Sequence, residues 1–233
     1  MSLQNQSLGE IASNIPGATR LFREHQIDFC CGGARSLKEE TERRGVAIEP
    51  LLAALNQLKE NTATEKNWKD AQPEALIAHI LQRFHMRHRE QLPELIQLSE
   101  KVERVHAENP DCPEGLAAHL KDMQEELLCH MVKEEQVLFP MLLQGMRRAA
   151  SAPIAVMEEE HKQHGEALEK MLSLAHQLVL PERACNSWRA LYLGLDELRN
   201  DLMEHIHLEN NILFKSRKTD SGQGCGGKCS CGG

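Results

Sequence analysis

Aromatic residues are scarce in this chain of 233 residues, at 3% of the total. Leu, Ala, Glu, Gln, Met and His fill it instead, which argues against a β-sandwich or barrel and for helices. Long apolar runs are also missing, and no stretch approaches the roughly 20 residues that cross a bilayer. The opening Met1-Ser2-Leu3-Gln4-Asn5-Gln6 lacks the basic region and apolar run of a secretory signal. Positive charge is in deficit: 27 Lys and Arg face 35 Asp and Glu, a net charge of −8. That balance disfavours nucleic acid and anionic membrane surfaces as partners. The expected location is cytoplasmic, where thiols stay reduced. The eight cysteines therefore read as metal-binding, redox-active or buried, and not as a disulfide framework.

Hydrophobic residues make up 41% of the chain, enough for a core, and their spacing predicts an all-α protein. Residues 1–60 form a small helical, cysteine-containing domain. Leu8, Ile11, Ile15, Ala18, Leu21 and Phe22 fall at helical intervals interrupted at Pro16. Asp28-Phe29-Cys30-Cys31-Gly32-Gly33 reads as a turn whose glycines permit positive φ. Short helices from about Ser36 to Arg44 and from about Pro50 to Glu60 follow, and residues 61–72 read as a polar linker. Four long periodic segments at 73–107, 113–147, 153–179 and 182–215 then predict an antiparallel up-down-up-down four-helix bundle over 73–216. Pro73, Pro113 and Pro153 suit first turns, whereas Pro93 and Pro140 should kink helix interiors. The glycine- and cysteine-rich tail, 217–233, is expected to be flexible.

The bundle carries an internal repeat. One helix contains His130-x-x-x-Glu134 and another His205-x-x-x-Glu209, each followed by a Leu-Phe pair. The i, i+4 spacing stacks imidazole and carboxylate on one helix face. Upstream, His85 precedes His130 by 45 residues and His161 precedes His205 by 44, a separation that returns a helical hairpin to the same height. Each half can thus supply one His and one His-x-x-x-Glu. A lone helical His is more often a surface or hydrogen-bonded residue; the matched set is what points to metal. Imidazole with carboxylate suits iron, and each Glu can bridge two ions while leaving room for an oxo or hydroxo bridge. A single tetrahedral zinc would not need six N/O ligands.

The other histidines invite blander readings. His88 and His164 are neighbours of ligand positions; the site resembles that of hemerythrins, which place a further His where this chain has Gly165. His79 and His207 read as surface residues. His106 lies about 30 Å along a straight helix from His85 and would need the chain to fold back. Glu126, Glu135 and Glu160 flank the ligand faces. Cys30-Cys31 is a vicinal pair unsuited to an unstrained disulfide, and so reads as reactive thiols, as soft-metal ligands, or as one buried Cys beside a bystander. Cys112, Cys129 and Cys185 read as small hydrophobes. Cys225, Cys229 and Cys231 fall short of the four thiolates that zinc or an iron–sulfur cluster normally takes.

Together, Leu8-Gly9-Glu10, the Asp28–Gly33 turn, Arg83-Phe84-His85 through Pro93, Lys133 through Pro140 and Leu208-Glu209-Asn210-Asn211 carry a resemblance over about residues 7–215. The chain resembles the Repair of Iron Centres di-iron family, of YtfE/ScdA type. The resemblance implies a cysteine-bearing helical domain joined to a hemerythrin-like bundle, with two non-haem iron ions on His85, His130, Glu134, His161, His205 and Glu209. It also implies repair of iron–sulfur clusters damaged by nitric oxide or peroxide, through donation of iron and with Cys30 and Cys31 as candidates for thiol or iron transfer. Damaged iron–sulfur proteins or their assembly machinery would be the partners. Two other readings stay open: a di-iron enzyme reducing nitric oxide or peroxide, and a reversible oxygen or nitric oxide binder or sensor. Whether the chain is a monomer or a homodimer is not legible.

Overall fold

The structure, a computed structural model, describes residues 2–30, 32–60 and 68–215. Cys31 and the tail cysteines lie outside the described residues, as do positions 61–67 of the expected linker. Among the described residues the regular structure is helical, and the β pairing is one isolated bridge between Ser7 and Ser36.

Four short helices come first: α1 (Leu8–Asn14), α2 (Ala18–Glu24), α3 (Leu37–Arg44) and α4 (Ile48–Glu60). Ser7 and Ser36 start α1 and α3 with capping boxes, in which Glu10 and Glu39 reach back to the cap amide. Gly45 ends α3 at φ 65°, a left-handed position that favours glycine. The cysteine turn is fastened to α1 by backbone bonds: Leu8 N–H donates to Arg35 O and Gly9 N–H to Gly33 O, both at 2.9 Å. Asp28 shapes the turn, accepting from Cys30 N–H at 3.1 Å, Gly32 N–H at 2.7 Å and Cys30 Sγ at 3.2 Å.

Gly32 and Gly33 permit a positive φ, but Gly33 does not use it. They are needed for clearance instead. A Cβ on Gly33 would meet Phe29 O at 2.5 Å, and one on Gly32 would meet Asp28 Oδ2 at 2.8 Å.

The bundle consists of α5 (73–105), α6 (116–143), α7 (Ser151–Leu174) and α8 (186–213). Helix α5 packs along both α6 and α8, and α7 closes the other side, which leaves α5 and α7 diagonal. The helices are shorter than expected at some ends. His176, Gln177 and Leu178 all take positive φ, so α7 stops at Leu174 instead of reaching 179. Part of the expected linker is ordered as a 3₁₀ turn, Trp68–Asp70, with Trp68 stacked on His79 at 4.2 Å.

Three of the four bundle helices widen into π-turns, at Leu81–His85, Glu134–Leu138 and Leu208–Leu213. The i→i+5 bonds run from Met86 N–H to Leu81 O, Phe139 N–H to Glu134 O and Phe214 N–H to Glu209 O. Such bulges cluster at functional sites. The second is followed by Phe139 and then Pro140, which has no N–H to continue an α-helical ladder. Pro93 lies within the α-helix Met86–Val105 without ending it.

Two apolar clusters fill the bundle, one around Leu92, Leu95, Leu120, Trp188 and Leu195, the other around Leu76, Phe84, Leu138, Phe139 and Ile212. A third, around Phe22, Ile27, Phe29 and Leu51, fills the N-terminal unit. Met203 of α8 packs against both this cluster and the first, and so joins the two units. Phe29 meets His207 edge-on with ring centres 5.3 Å apart. His207 is therefore buried, which corrects its reading as a surface residue: the N-terminal unit covers the outer face of α8. Burial, aided by Lys215 and Arg23, depresses its imidazole to about 3.

Candidate metal centre

The bundle brings all six donors expected from the sequence to one place between its apolar clusters. His85 comes from α5, His130 and Glu134 from α6, His161 from α7, and His205 and Glu209 from α8. All six are buried. Their ligand atoms form two groups, His85, His205, Glu134 and Glu209, and His130, His161, Glu134 and Glu209, each within 4.8 Å of one another. Both carboxylates belong to both groups. Glu134 Oε2 lies 3.4 Å from His85 Nε2 and 3.4 Å from His130 Nε2. Glu209 divides its oxygens, Oε1 lying 3.1 Å from His205 Nε2 and Oε2 3.1 Å from His161 Nε2.

The chemistry of this donor set fits cations. Nε2 atoms of His85 and His205 face each other at 3.2 Å, and those of His130 and His161 at 3.1 Å. The carboxylate oxygens of Glu134 have no hydrogen-bond partner, despite the imidazoles around them. Nitrogen and oxygen ligand atoms thus crowd round shared centres, with Glu209 Oε1 also within hydrogen-bond distance of His205 Nε2. Two buried carboxylates also need compensating positive charge. Burial pushes both glutamates up, and Glu209 adds to this at Glu134, but the imidazoles prevail and hold both below the usual carboxylate range. Burial opposes a charge on His130, yet Glu134 and Glu209 raise it to about 9. A bound cation and that proton compete for the same carboxylates.

Outer contacts fix which nitrogen faces the centre. His85 Nδ1 donates to Glu135 Oε1 at 2.7 Å, His130 Nδ1 to Glu160 Oε2 at 2.8 Å, and His161 Nδ1 to Asn210 Oδ1 at 2.8 Å. With Nδ1 protonated, Nε2 carries the lone pair. The acceptors are themselves held: Arg89 bonds Glu135 at 2.8 Å, and Lys133 bonds Glu160. Glu126 is exposed and takes no such role. Asn210 was not singled out by sequence reasoning, although it follows Glu209 as Glu135 follows Glu134, and aligning the repeat one residue further would have marked it.

Other residues fall elsewhere. His106 sits at the far end of the bundle, with Nε2 3.2 Å from Cys185 Sγ and its ring 4.9 Å from Trp188. Cys129 is exposed, unlike the small hydrophobe the sequence suggested, whereas Cys112 is half-buried and Cys185 packs at the edge of the core. His88 and His164 are both buried beside the ligands. Burial leaves His88 well below the ordinary imidazole value and takes His164 to about 2.

Cys30 is buried where the N-terminal unit meets the bundle. Its turn docks on the π-turn that carries Glu209: Asn210 Nδ2 donates to Cys30 O at 3.5 Å and Asn211 Nδ2 to Phe29 O at 3.4 Å. Asn210 thereby joins the cysteine turn to His161. A cavity of about 630 Å³ opens beside the turn, lined in part by Cys30, Arg23, Arg35, Lys162, Gly165 and Arg199. No helix among the described residues is long and apolar enough to cross a membrane.

Comparison with known proteins agrees with this architecture. The family model of the hemerythrin HHE cation-binding domain matches residues 76–216, and that of the ScdA N-terminal domain, a domain of unknown function, matches residues 4–59. The chain is 52% identical over 214 residues to a protein named iron–sulfur cluster repair protein YtfE from Yersinia pseudotuberculosis serotype IB (strain PB1/+). The alignment covers 92% of this chain and 97% of that relative. The protein of the same name from Pectobacterium carotovorum subsp. carotovorum (strain PC1) is similar to the same extent, 52% over the same shares of each chain.

Proposed function

This chain belongs to the YtfE family of iron–sulfur cluster repair proteins, and from that premise we propose that it restores damaged clusters by releasing iron from the site between Glu134 and Glu209. Two iron ions would be the cargo, one on His85 and His205, the other on His130 and His161, with both glutamates shared. Damaged iron–sulfur proteins, or the machinery that rebuilds them, would be the acceptors.

The observation that carries this reading is the bond between the cysteine turn and the metal ligands through Asn210, which accepts from His161 and donates to the Cys30 carbonyl. Its amide cannot be flipped without placing donor against donor. A disturbance of the turn by an acceptor is thus transmitted to a ligand imidazole. The donor set supports release as well. Imidazole and carboxylate hold ferrous iron, but thiolates are softer ligands, so an iron-depleted cysteine site can draw the ion away. Cys30, beside the cavity, gives a thiol along that direction of transfer.

The test mixes the iron-loaded protein with an iron–sulfur enzyme damaged by nitric oxide. The expected result is recovered enzyme activity with matching loss of iron from the donor, faster than with free ferrous iron at equal concentration. Recovery no faster than with free iron would refute donation. Consumption of nitric oxide over many equivalents, with protein iron unchanged, would instead identify a reductase.

A further inference from the structure

The two halves of the bundle superpose in sequence on their donors: His85 with His161, His130 with His205, Glu134 with Glu209. The outer contacts follow the same symmetry, Glu135 behind His85 matching Asn210 behind His161. It breaks at one place. Glu160, which backs His130, precedes His161; the residue preceding His85 is Phe84. The Phe84 ring lies flat on His205, centres 5.4 Å apart and planes at 3°. His205 Nδ1 is consequently buried with no hydrogen-bond partner, alone among the four imidazoles.

Beside it stands His88, fully buried, with neither ring nitrogen partnered and its centre 5.4 Å from that of His205. An in-line N–H···N bond of about 2.9 Å sets two imidazole centres about 5 Å apart. Rotation of the His88 ring exchanges nitrogens and carbons with little change of shape, so its orientation is set by bonding and not by packing. A single bond between them satisfies His205 Nδ1 and one of the two His88 nitrogens. His88 is not a direct ligand, since it belongs to neither four-donor group. His164 holds the corresponding place in the other half, but its neighbour His130 already has Glu160.

We propose that His88 is the positioning residue for His205: a ring nitrogen of His88 accepts the Nδ1–H of His205 and so fixes Nε2 of His205 as the metal donor. Each ion then has one imidazole backed by a carboxylate and one backed by a neutral acceptor. The inference rests on the dinuclear reading of the site.

The test titrates Co²⁺ into metal-free full-length wild type, H88L, H88Q and H164L, following the visible band, with helicity checked by circular dichroism. Wild type should take two ions. H88L should weaken one of them by about 10–100-fold and leave the other unchanged. H88Q, whose amide oxygen can accept, should recover most of the loss, and H164L should leave both ions as in wild type. In zinc-loaded protein, NMR of the imidazole nitrogens should show an exchange-protected His205 Nδ1–H in wild type and H88Q, and not in H88L. Two ions bound by H88L with wild-type affinity, or a protected Nδ1–H that persists in it, would overturn the assignment. If H88L does not fold, the His205 Nδ1 resonance in H88Q decides: no shift on changing the acceptor from nitrogen to oxygen overturns it too. Fewer than two ions in wild type would overturn the dinuclear reading itself.

Discussion

At the scale of single residues, the two glutamates set the character of the site. Each is buried, each faces two imidazoles, and each is shared by both donor groups. Four imidazoles without them could hold ions only singly and without charge compensation. Replacing both, in the variant E134L/E209L, should therefore abolish binding of two ions while keeping the helical content. Removing both carboxylates also strips the buried imidazoles of their counter-charge, so the metal-free variant should be less stable than metal-free wild type, by about the 3–5 kcal/mol typical when one side of a buried pair is removed. Metal analysis and circular dichroism read both parts; two ions retained per chain would refute the shared-carboxylate site.

At the scale of elements, the positions of the donors were legible because their spacing is local. A His-x-x-x-Glu pair shares a helix face whatever surrounds it, and a repeat of about 45 residues is a property of the chain. The outer contacts were less legible, because the partners of His85, His130 and His161 come from neighbouring helices and depend on how those helices are rotated. The π-turns decide that rotation at Glu134 and Glu209, and no sequence signal short of Pro140 announces one. His207 was misplaced for the same reason, since its burial depends on a second unit docking over α8. That docking explains the severity expected at the cysteine turn. Gly33 has a backbone oxygen where a Cβ would sit, at 2.5 Å, with Asn211 Nδ2 a further neighbour at 3.4 Å. A backbone carbonyl cannot swing aside as a side chain does. Gly33→Ala should thus cost about 1–3 kcal/mol, the range for overpacking, read as a lowered urea midpoint with unchanged slope. A midpoint equal to wild type would show that the turn yields freely and is not clamped onto α8.

At the scale of the whole molecule, the N-terminal unit and the bundle should unfold as one cooperative structure, because Met203 packs against both cores and Cys30 is buried in the bundle's own core. A change of charge within the small unit should consequently register in the unfolding of the entire chain. Glu40 is the place to look. Its buried carboxylate on α3 binds Arg43 Nη2 at 2.7 Å, Arg44 Nε at 2.7 Å and Arg35 Nη1 at 3.2 Å. Burial pushes its pKa up, but the bonds from Arg43 and Arg44 overcome this and bring it down from the ordinary 4.5 to about 2. A depressed carboxylate stabilises the fold fully above its unfolded value and loses that contribution as pH falls toward its folded one. Between pH 4.5 and about 2 the unfolded chain binds a proton at Glu40 that the folded chain refuses. The stability difference between wild type and Glu40→Gln should accordingly be constant above pH 4.5 and shrink steadily below it. Urea unfolding of the metal-free proteins across that interval, followed by both far-ultraviolet dichroism and Trp188 fluorescence with Trp68 replaced by Phe, measures it. Coincident transitions that shift together would establish the coupling. A fluorescence transition indifferent to Glu40 would show that the bundle holds without its N-terminal partner, and that the cysteine turn can leave the metal site while the helices around it stay folded.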